Sequence, residues 1–308
     1  MRILITGGAG FIGHNLARMA LGAGHEVRVI DDLSTGFADN LNGLDLDFRE
    51  ASILDEDAVS SAVSGIDSIV HLGALGSVPR SIHDPLRSHH ANATGTLTLL
   101  DQARKADVTH VMCASSSSVY GMNPALPKHE REWTRPMSPY AVSKLATEQY
   151  TLAFQQSYGF NTVAFRCFNV YGPGQRAGHV YAAVIPTWIH AMLLGEPVWV
   201  NGDGSNSRDF TYVETVCKVL LDTAERRLSH PEPVNLAFGT NTSLLDLIDR
   251  LTEISGVTPD VRHREPRAGD VPHSQASNAV LRKLFPRVTP MELETGLHET
   301  LEWFRKHA

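Results

Sequence analysis

Through the first half of the chain, short apolar runs rich in β-branched residues alternate with longer, mixed segments. RILITGG, EVRVIDD, SIVHLGA, THVMCASSS and NTVAFRCFNVYG have the length and composition of strands. FIGHNLARMALGAG, SILDEDAVSSAVSG, ATGTLTLLDQARKA and SPYAVSKLATEQYTLAFQQSYG, which lie between them, read as helices. This alternation predicts an α/β fold with a doubly wound parallel sheet, and strands this apolar suit a sheet covered on both faces. After Tyr171 the rhythm changes: GPGQRAGH is loop-like, YAAVIPTWIHAMLLG helical, and PVWVNGDG a strand and turn. RDFTYVETVCKVLLDTAERRL returns to strand and helix, and from Val234 the elements shorten through VNLAFG, TSLLDLIDRLTEI and TPMELETGLHETLEWFRK. Residues 1–170 are expected to form the sheet domain, with part of 209–230 returning to it. Residues 171–308 are expected to form a smaller α/β substrate domain over the carboxyl edge, leaving a ligand cleft between the two.

Composition narrows the chemistry. The 308 residues are 42% hydrophobic and 20% charged, which suits one large globular unit or two closely associated domains. A formal charge of -7 without a run of Lys or Arg argues against nucleic acid as partner and for a small molecule. Cys113, Cys167 and Cys217 are scattered, with no Cys-x-x-Cys pair, so neither disulfides nor structural zinc is expected. Fifteen histidines contain no His-x-x-x-His or His-Glu-x-x-His spacing, so no metal site is expected. No apolar run approaches the roughly 18 residues of a membrane span, and a soluble cytoplasmic protein is the expectation.

Thr6-Gly7-Gly8-Ala9-Gly10-Phe11-Ile12-Gly13 follows the first strand and opens the first helix. Gly7, Gly10 and Gly13 let the backbone turn tightly and approach a pyrophosphate, while the helix N-terminus offers N–H groups and positive potential. The second strand ends in Asp31-Asp32, about 20 residues on, where a carboxylate would hold the adenosine ribose hydroxyls. Asp31 would repel a 2′-phosphate, so NAD is expected over NADP; Arg28 is the nearby cation that could accept one.

Ser115-Ser116-Ser117-Ser118 sit at the carboxyl end of a strand, the ligand edge of an open α/β sheet. Two of the four are expected to satisfy turn backbone and at least one to face the cleft. Tyr140 and Lys144, four apart behind Pro139, reach one helix face.

TGGAGFIG, VIDDLSTG, HLGA with SVPRSIHDP, NATGT, SSSSVYG, PYAVSK, RCFNVYGPGQ, GDGSNSRDF and RAGDVPHSQAS occur in this order. The series resembles the extended short-chain dehydrogenase/reductase family, in its NAD-dependent nucleotide-sugar epimerase branch. The resemblance implies a Rossmann sheet and a catalytic set of Ser116, Tyr140 and Lys144. It also implies cofactor contacts from Phe11, Ile12, Ser52, Ile53, Leu72, Gly73, Ala74, Asn92, Tyr140 and Lys144. Tyrosine has an ordinary pKa near 10, so a nearby ammonium and the nicotinamide charge are expected to favour its phenolate.

The implied activity is inversion of C4 in a UDP-hexose through a transient 4-keto sugar. Related dehydratases carry Thr-Asp-Glu, and related decarboxylases a glutamate, where this chain has Ser116-Ser117-Ser118. Elimination therefore lacks its base. By resemblance Ser116 and Ser117 face the sugar, Asn169 the diphosphate region, Arg208 and Arg267 the phosphates, and Asp270 the uridine ribose. Ser274 stands where small-hexose enzymes carry a bulky tyrosine, so UDP-GlcNAc/UDP-GalNAc joins UDP-Glc/UDP-Gal as a substrate pair. Arg176 stands where uronate epimerases place an arginine for the C6 carboxylate, which keeps UDP-glucuronate 4-epimerase as an alternative. Ser52-Ile53, Glu214 and Met122 depart from the usual residues and leave the reacting triad untouched. A non-catalytic NAD-binding sensor, the reading of another class, would be expected to lack Tyr140 or Lys144. A homodimer through helices near 95–107 and 140–158 is implied by the resemblance.

Overall fold

The computed structural model describes residues 1–177, 183–266 and 271–307. Seven strands form one sheet: β1 (Arg2–Thr6), β2 (Glu26–Asp31), β3 (Asp47–Glu50), β4 (Ser68–His71), β5 (His110–Ser116), β6 (Asn161–Cys167) and β7 (Val234–Leu236). Their spatial order is β7-β6-β5-β4-β1-β2-β3, and every neighbouring pair is parallel. The winding reverses between β1 and β4, and that switch point opens a crevice at the carboxyl edge.

The helices that cover the sheet are α1 (Phe11–Gly22), α2 (Glu56–Val63), α3 (Gly95–Lys105), α4 (Pro139–Tyr158) and, beyond the helix α5 (Val184–Leu194), α6 (Val213–Glu225). Ile3 and Ile5 of β1 join Leu16 and Ala20 of α1 and Val216 and Leu220 of α6 in one core. Leu4, between them, faces the opposite core with Val63 of α2, Leu99 of α3 and Phe154 of α4. Side chains alternate across a strand, so one short apolar run feeds both cores. The edge strand β3, sequence DFRE, was not anticipated. It carries no apolar run because one side of an edge strand meets water.

The smaller unit packs Trp188 and Ile189 of α5 against α7 (Leu244–Ser255) and α8 (Leu293–His307) through Leu247, Leu251, Leu297 and Leu301. Ser207–Arg208 forms the middle of a small sheet between Thr242–Ser243 and His273–Ser274. The chain returns to the large sheet more often than the sequence suggests. Beyond α6, Val234–Leu236 pairs with β6 and Leu281 enters the first core. A three-residue strand and one buried leucine are too short to reveal in sequence which unit they join. Among the described residues no helix is long and apolar enough to cross a membrane.

Candidate active site

At the switch point, the turn after β1 is set by contacts that only glycine permits. Gly7 has φ 70°, and a Cβ there would lie 2.7 Å from the Gly73 nitrogen. A Cβ on Gly13 would collide with the Gly7 carbonyl and the Gly8 Cα. The first turn of α1 has no side-chain cap at Gly10, so its N–H groups remain directed at the adjoining cavity. That cavity, about 820 Å³, is lined by Gly7, Gly10, Phe11, Ile12, Gly13, Asp31, Asp32, Ser52, Ile53, Leu72, Gly73 and Ala74. Such a volume and an open helix N-terminus suit a dinucleotide.

Asp31 has two tasks. Its Oδ2 accepts from the Ala9 nitrogen at 2.9 Å and its Oδ1 from Leu33 at 2.8 Å, which ties the glycine turn to the end of β2. Burial pushes its pKa up, and the two N–H donors oppose that shift. Arg28 is not available to a 2′-phosphate: it binds Asp47 and the carbonyls of Ala62 and Ser64. Asn92, expected to touch the cofactor, has its side chain engaged elsewhere. It is absent from the described cavity wall, because its amide clamps the Leu75 backbone and bonds Ser143. It thus shapes the loop beside the cavity from behind.

A second cavity, about 330 Å³, adjoins the first where β5 ends; Ala114 lines one and Ser115 to Ser118 the other. Tyr140, Asn169, Arg208 and Ser274 also line it. The helix α4 starts here because Ser138 caps it, accepting from Ala141 at 3.2 Å, and Pro139 takes the position that needs no N–H. Tyr140 and Lys144 follow one turn apart. Ser116 Oγ accepts from the Ser118 nitrogen at 3.2 Å and the Ser118 hydroxyl at 2.9 Å, while Ser115 donates to Glu148 at 2.9 Å. Ser115 and Ser118 therefore serve the scaffold.

The electrostatics differ from the sequence expectation. Burial pushes the Tyr140 phenol up, and Ser116, hydrogen-bonded to it, rather than Lys144, pulls it down. Burial also lowers the Lys144 ammonium. In a desolvated site the penalty on each charged form outweighs a neighbour's charge.

A third cavity, about 320 Å³, shares Asn169, Val170 and Arg208 with the second and continues along Trp188, Trp199 and Phe210. Arg208 donates to the carbonyls of Ser207 at 2.9 Å and Pro272 at 3.0 Å. Arg176 is absent from the walls of all three cavities, and its guanidinium lies 3.7 Å from the Phe37 ring centroid. The loop that leads to it, Gly172 to Gly174, is anchored by Asn15, which donates to the Pro173 carbonyl at 3.1 Å. Arg267, Asp270 and Tyr181 lie outside the described residues.

Sequence reasoning missed several groups. Val78, Lys128, Cys167 and His273 line the second cavity. They come from distant loops and strands, and no local spacing unites them. Asp209 was also missed; fully buried, it accepts from Gly239, Thr240 and Ala276 and so holds the loops around Arg208 and Ser274. Glu148 could have been found, since 140, 144 and 148 keep the same helical spacing. Among the described residues no group of three or more His, Cys, Asp or Glu could hold a metal ion.

The model of the NAD dependent epimerase/dehydratase family matches residues 3–237. A UDP-glucose 4-epimerase of Mycolicibacterium smegmatis is 34% identical over 311 residues, 99% of each chain. A dTDP-glucose 4,6-dehydratase of Streptomyces niveus is 33% identical over 99% of this chain and 93% of its own. A UDP-N-acetylglucosamine 4-epimerase from Methanobrevibacter ruminantium M1, solved in complex with UDP-N-acetylmuramic acid, superposes with a TM-score of 0.94 at 36% identity, over 100% of this chain and 99% of that one. NAD is the family's cofactor, and the glycine-lined cavity fits it. Because the match runs from β1 through β7, and relatives align along almost the whole length, this chain belongs to the NAD-dependent epimerase/dehydratase family.

Proposed function

We propose that the protein is a UDP-sugar 4-epimerase, acting on UDP-Glc/UDP-Gal and on UDP-GlcNAc/UDP-GalNAc. The observation that carries this reading is the second cavity's wall: among its described residues there is no carboxylate. Hydroxyls of Ser116, Ser117 and Ser118 line the place where a dehydratase needs an acid and a base to pull the C5 proton and expel water. When bound, NAD supplies the acceptor and donor for the C4 hydride. Tyr140 takes the proton of the C4 hydroxyl and later returns it, and Ser116 steadies that proton between phenol and sugar. Asn169 and Arg208, at the junction of the second and third cavities, hold the nucleotide diphosphate so that the 4-keto sugar can present either face. Ser274 leaves room for a C2 substituent. The position of Arg176 on Phe37 gives a uronate carboxylate no partner from that residue. The partner in solution would be a second copy, paired through α3 and α4, whose Leu97, Tyr150 and Tyr158 are exposed around a surface cavity.

Incubation of the purified protein with UDP-Glc, UDP-GlcNAc and UDP-GlcA in turn, with separation of the 4-epimers, tests the reading. Epimers of the first two are expected. A 6-deoxy-4-keto product, or release of NADH equal to the enzyme present, would overturn it.

A further inference from the structure

Lys128 is only 3% exposed, yet it lines the second cavity. An ammonium has three donors. Among the described residues the Lys128 Nζ has one acceptor, the Asn123 carbonyl, and no carboxylate within ion-pair distance. A buried cation with donors left over is costly unless something arrives to take them.

The backbone shows which part of the cavity it addresses. Lys128 N donates to the Gln275 carbonyl at 2.7 Å, and Ser277 N donates to the Lys128 carbonyl at 2.8 Å. Those two bonds fix Lys128 beside the segment that carries Ser274. Asn169 and Arg208 are shared with the third cavity, whereas Lys128 is not, so the lysine belongs to the sugar end and not the diphosphate end. Burial lowers the Lys128 ammonium, and the Glu132 carboxylate, bonded to Asn123 at 3.3 Å, opposes that shift. With one acceptor among the described residues, the ammonium keeps donors for a further hydrogen-bond acceptor.

We propose that Lys128 is a specificity-determining residue whose ammonium donates to the acyl carbonyl oxygen of a 2-acylamino sugar seated against Ser274. The proposal rests on the 4-epimerase reading and deepens it: a cavity with only a small Ser274 would tolerate the acylamino group, and Lys128 makes the site prefer it. Arg208 does not substitute, since it is held by the Ser207 and Pro272 carbonyls at the far end.

The test is calorimetric binding of UDP-GlcNAc, UDP-Glc and UDP-GlcA to the NAD-loaded protein and to its Lys128→Met variant, with epimer formation measured on the same samples. Lys128→Met should weaken UDP-GlcNAc roughly tenfold more than UDP-Glc, the effect of losing a hydrogen bond to a charged donor. Lys128→Arg should recover part of the difference. Because both sugars meet the same protein, a general loss of fold cannot imitate a change in their ratio. Should Lys128→Met fail to fold, Lys128→Gln serves the same comparison. Equal weakening of UDP-GlcNAc and UDP-Glc overturns the proposal, and so does a loss greatest for UDP-GlcA, which would make a carboxylate the acceptor. Tight, Lys128-dependent binding of UDP-GlcNAc without any epimer would sink the 4-epimerase reading and leave the lysine's role standing.

Discussion

Replacing Arg166 with Met should destabilise the protein far more than its single ion pair would suggest. Glu148 of α4 is wholly buried and Arg166 of β6 is 3% exposed. Their two hydrogen bonds, 2.9 Å from Nε to Oε2 and 2.7 Å from Nη2 to Oε1, hold the helix that carries Tyr140 and Lys144 against the sheet. Arg166 also donates to the Glu130 carbonyl at 3.0 Å and stacks over Tyr120 at 4.6 Å. Removing the guanidinium leaves a buried carboxylate with Ser115 as its remaining buried donor, and breaking such a pair typically costs about 3–5 kcal/mol. A chain of this length has an unfolding entropy of roughly 0.65 kcal/mol/K, so a loss of ~4 kcal/mol lowers Tm by about 6 °C. The double variant Glu148→Leu/Arg166→Met removes both charges and should recover a large part of that loss, because no uncompensated charge remains. Scanning calorimetry of the wild type, both singles and the double gives the coupling directly. An Arg166→Met loss under about 1 kcal/mol, the range of an exposed pair, or a double loss equal to the sum of the singles, would refute the argument.

Tyr140→Phe should lower the epimerisation kcat by about 100-fold or more while cofactor content is retained, as read by epimer separation and by absorbance of NAD released on denaturation. Gly13→Ala should yield protein depleted in NAD, because the added Cβ collides with the Gly7 carbonyl and displaces the first turn of α1; normal cofactor content would contradict the close-approach argument. The Asp209 carboxyl is pushed up by burial to about 6, against an ordinary value of 3.8. The folded state thus binds a proton more tightly than the unfolded state, so this group's contribution to stability falls as pH rises from about 4 to about 6. Asp209→Asn should be less stable throughout, through weakened bonds to Gly239, Thr240 and Ala276, and should lose that slope in denaturation measured across the same window.

The sheet and the glycine turn at its edge were legible where local pattern carries them. β1, β2 and β4 to β6 announce themselves as apolar runs, since a strand buried on both faces can hold little else. The glycine turn, Asp31 and the Tyr140–Lys144 spacing are equally local: tight turns need glycine, and helical neighbours recur every four residues. β3 stayed hidden because an edge strand needs no apolar face, and β7, legible as a short element, was assigned to the wrong unit because three residues do not reveal which of two cores they join.

Sequence alone therefore determined the alternating fold, through runs spread over residues 2–167, and the glycine turn and the Tyr140–Lys144 helical spacing, each written within a short stretch of chain. Only tertiary structure decided that Arg176 lies on Phe37, that Arg28 is held by Asp47, and that Asn92 braces the Leu75 loop. It alone brought Lys128 beside Ser274, across 146 positions of sequence. A long side chain's partner depends on which distant backbone packs next to it, and no spacing along the chain encodes that neighbour.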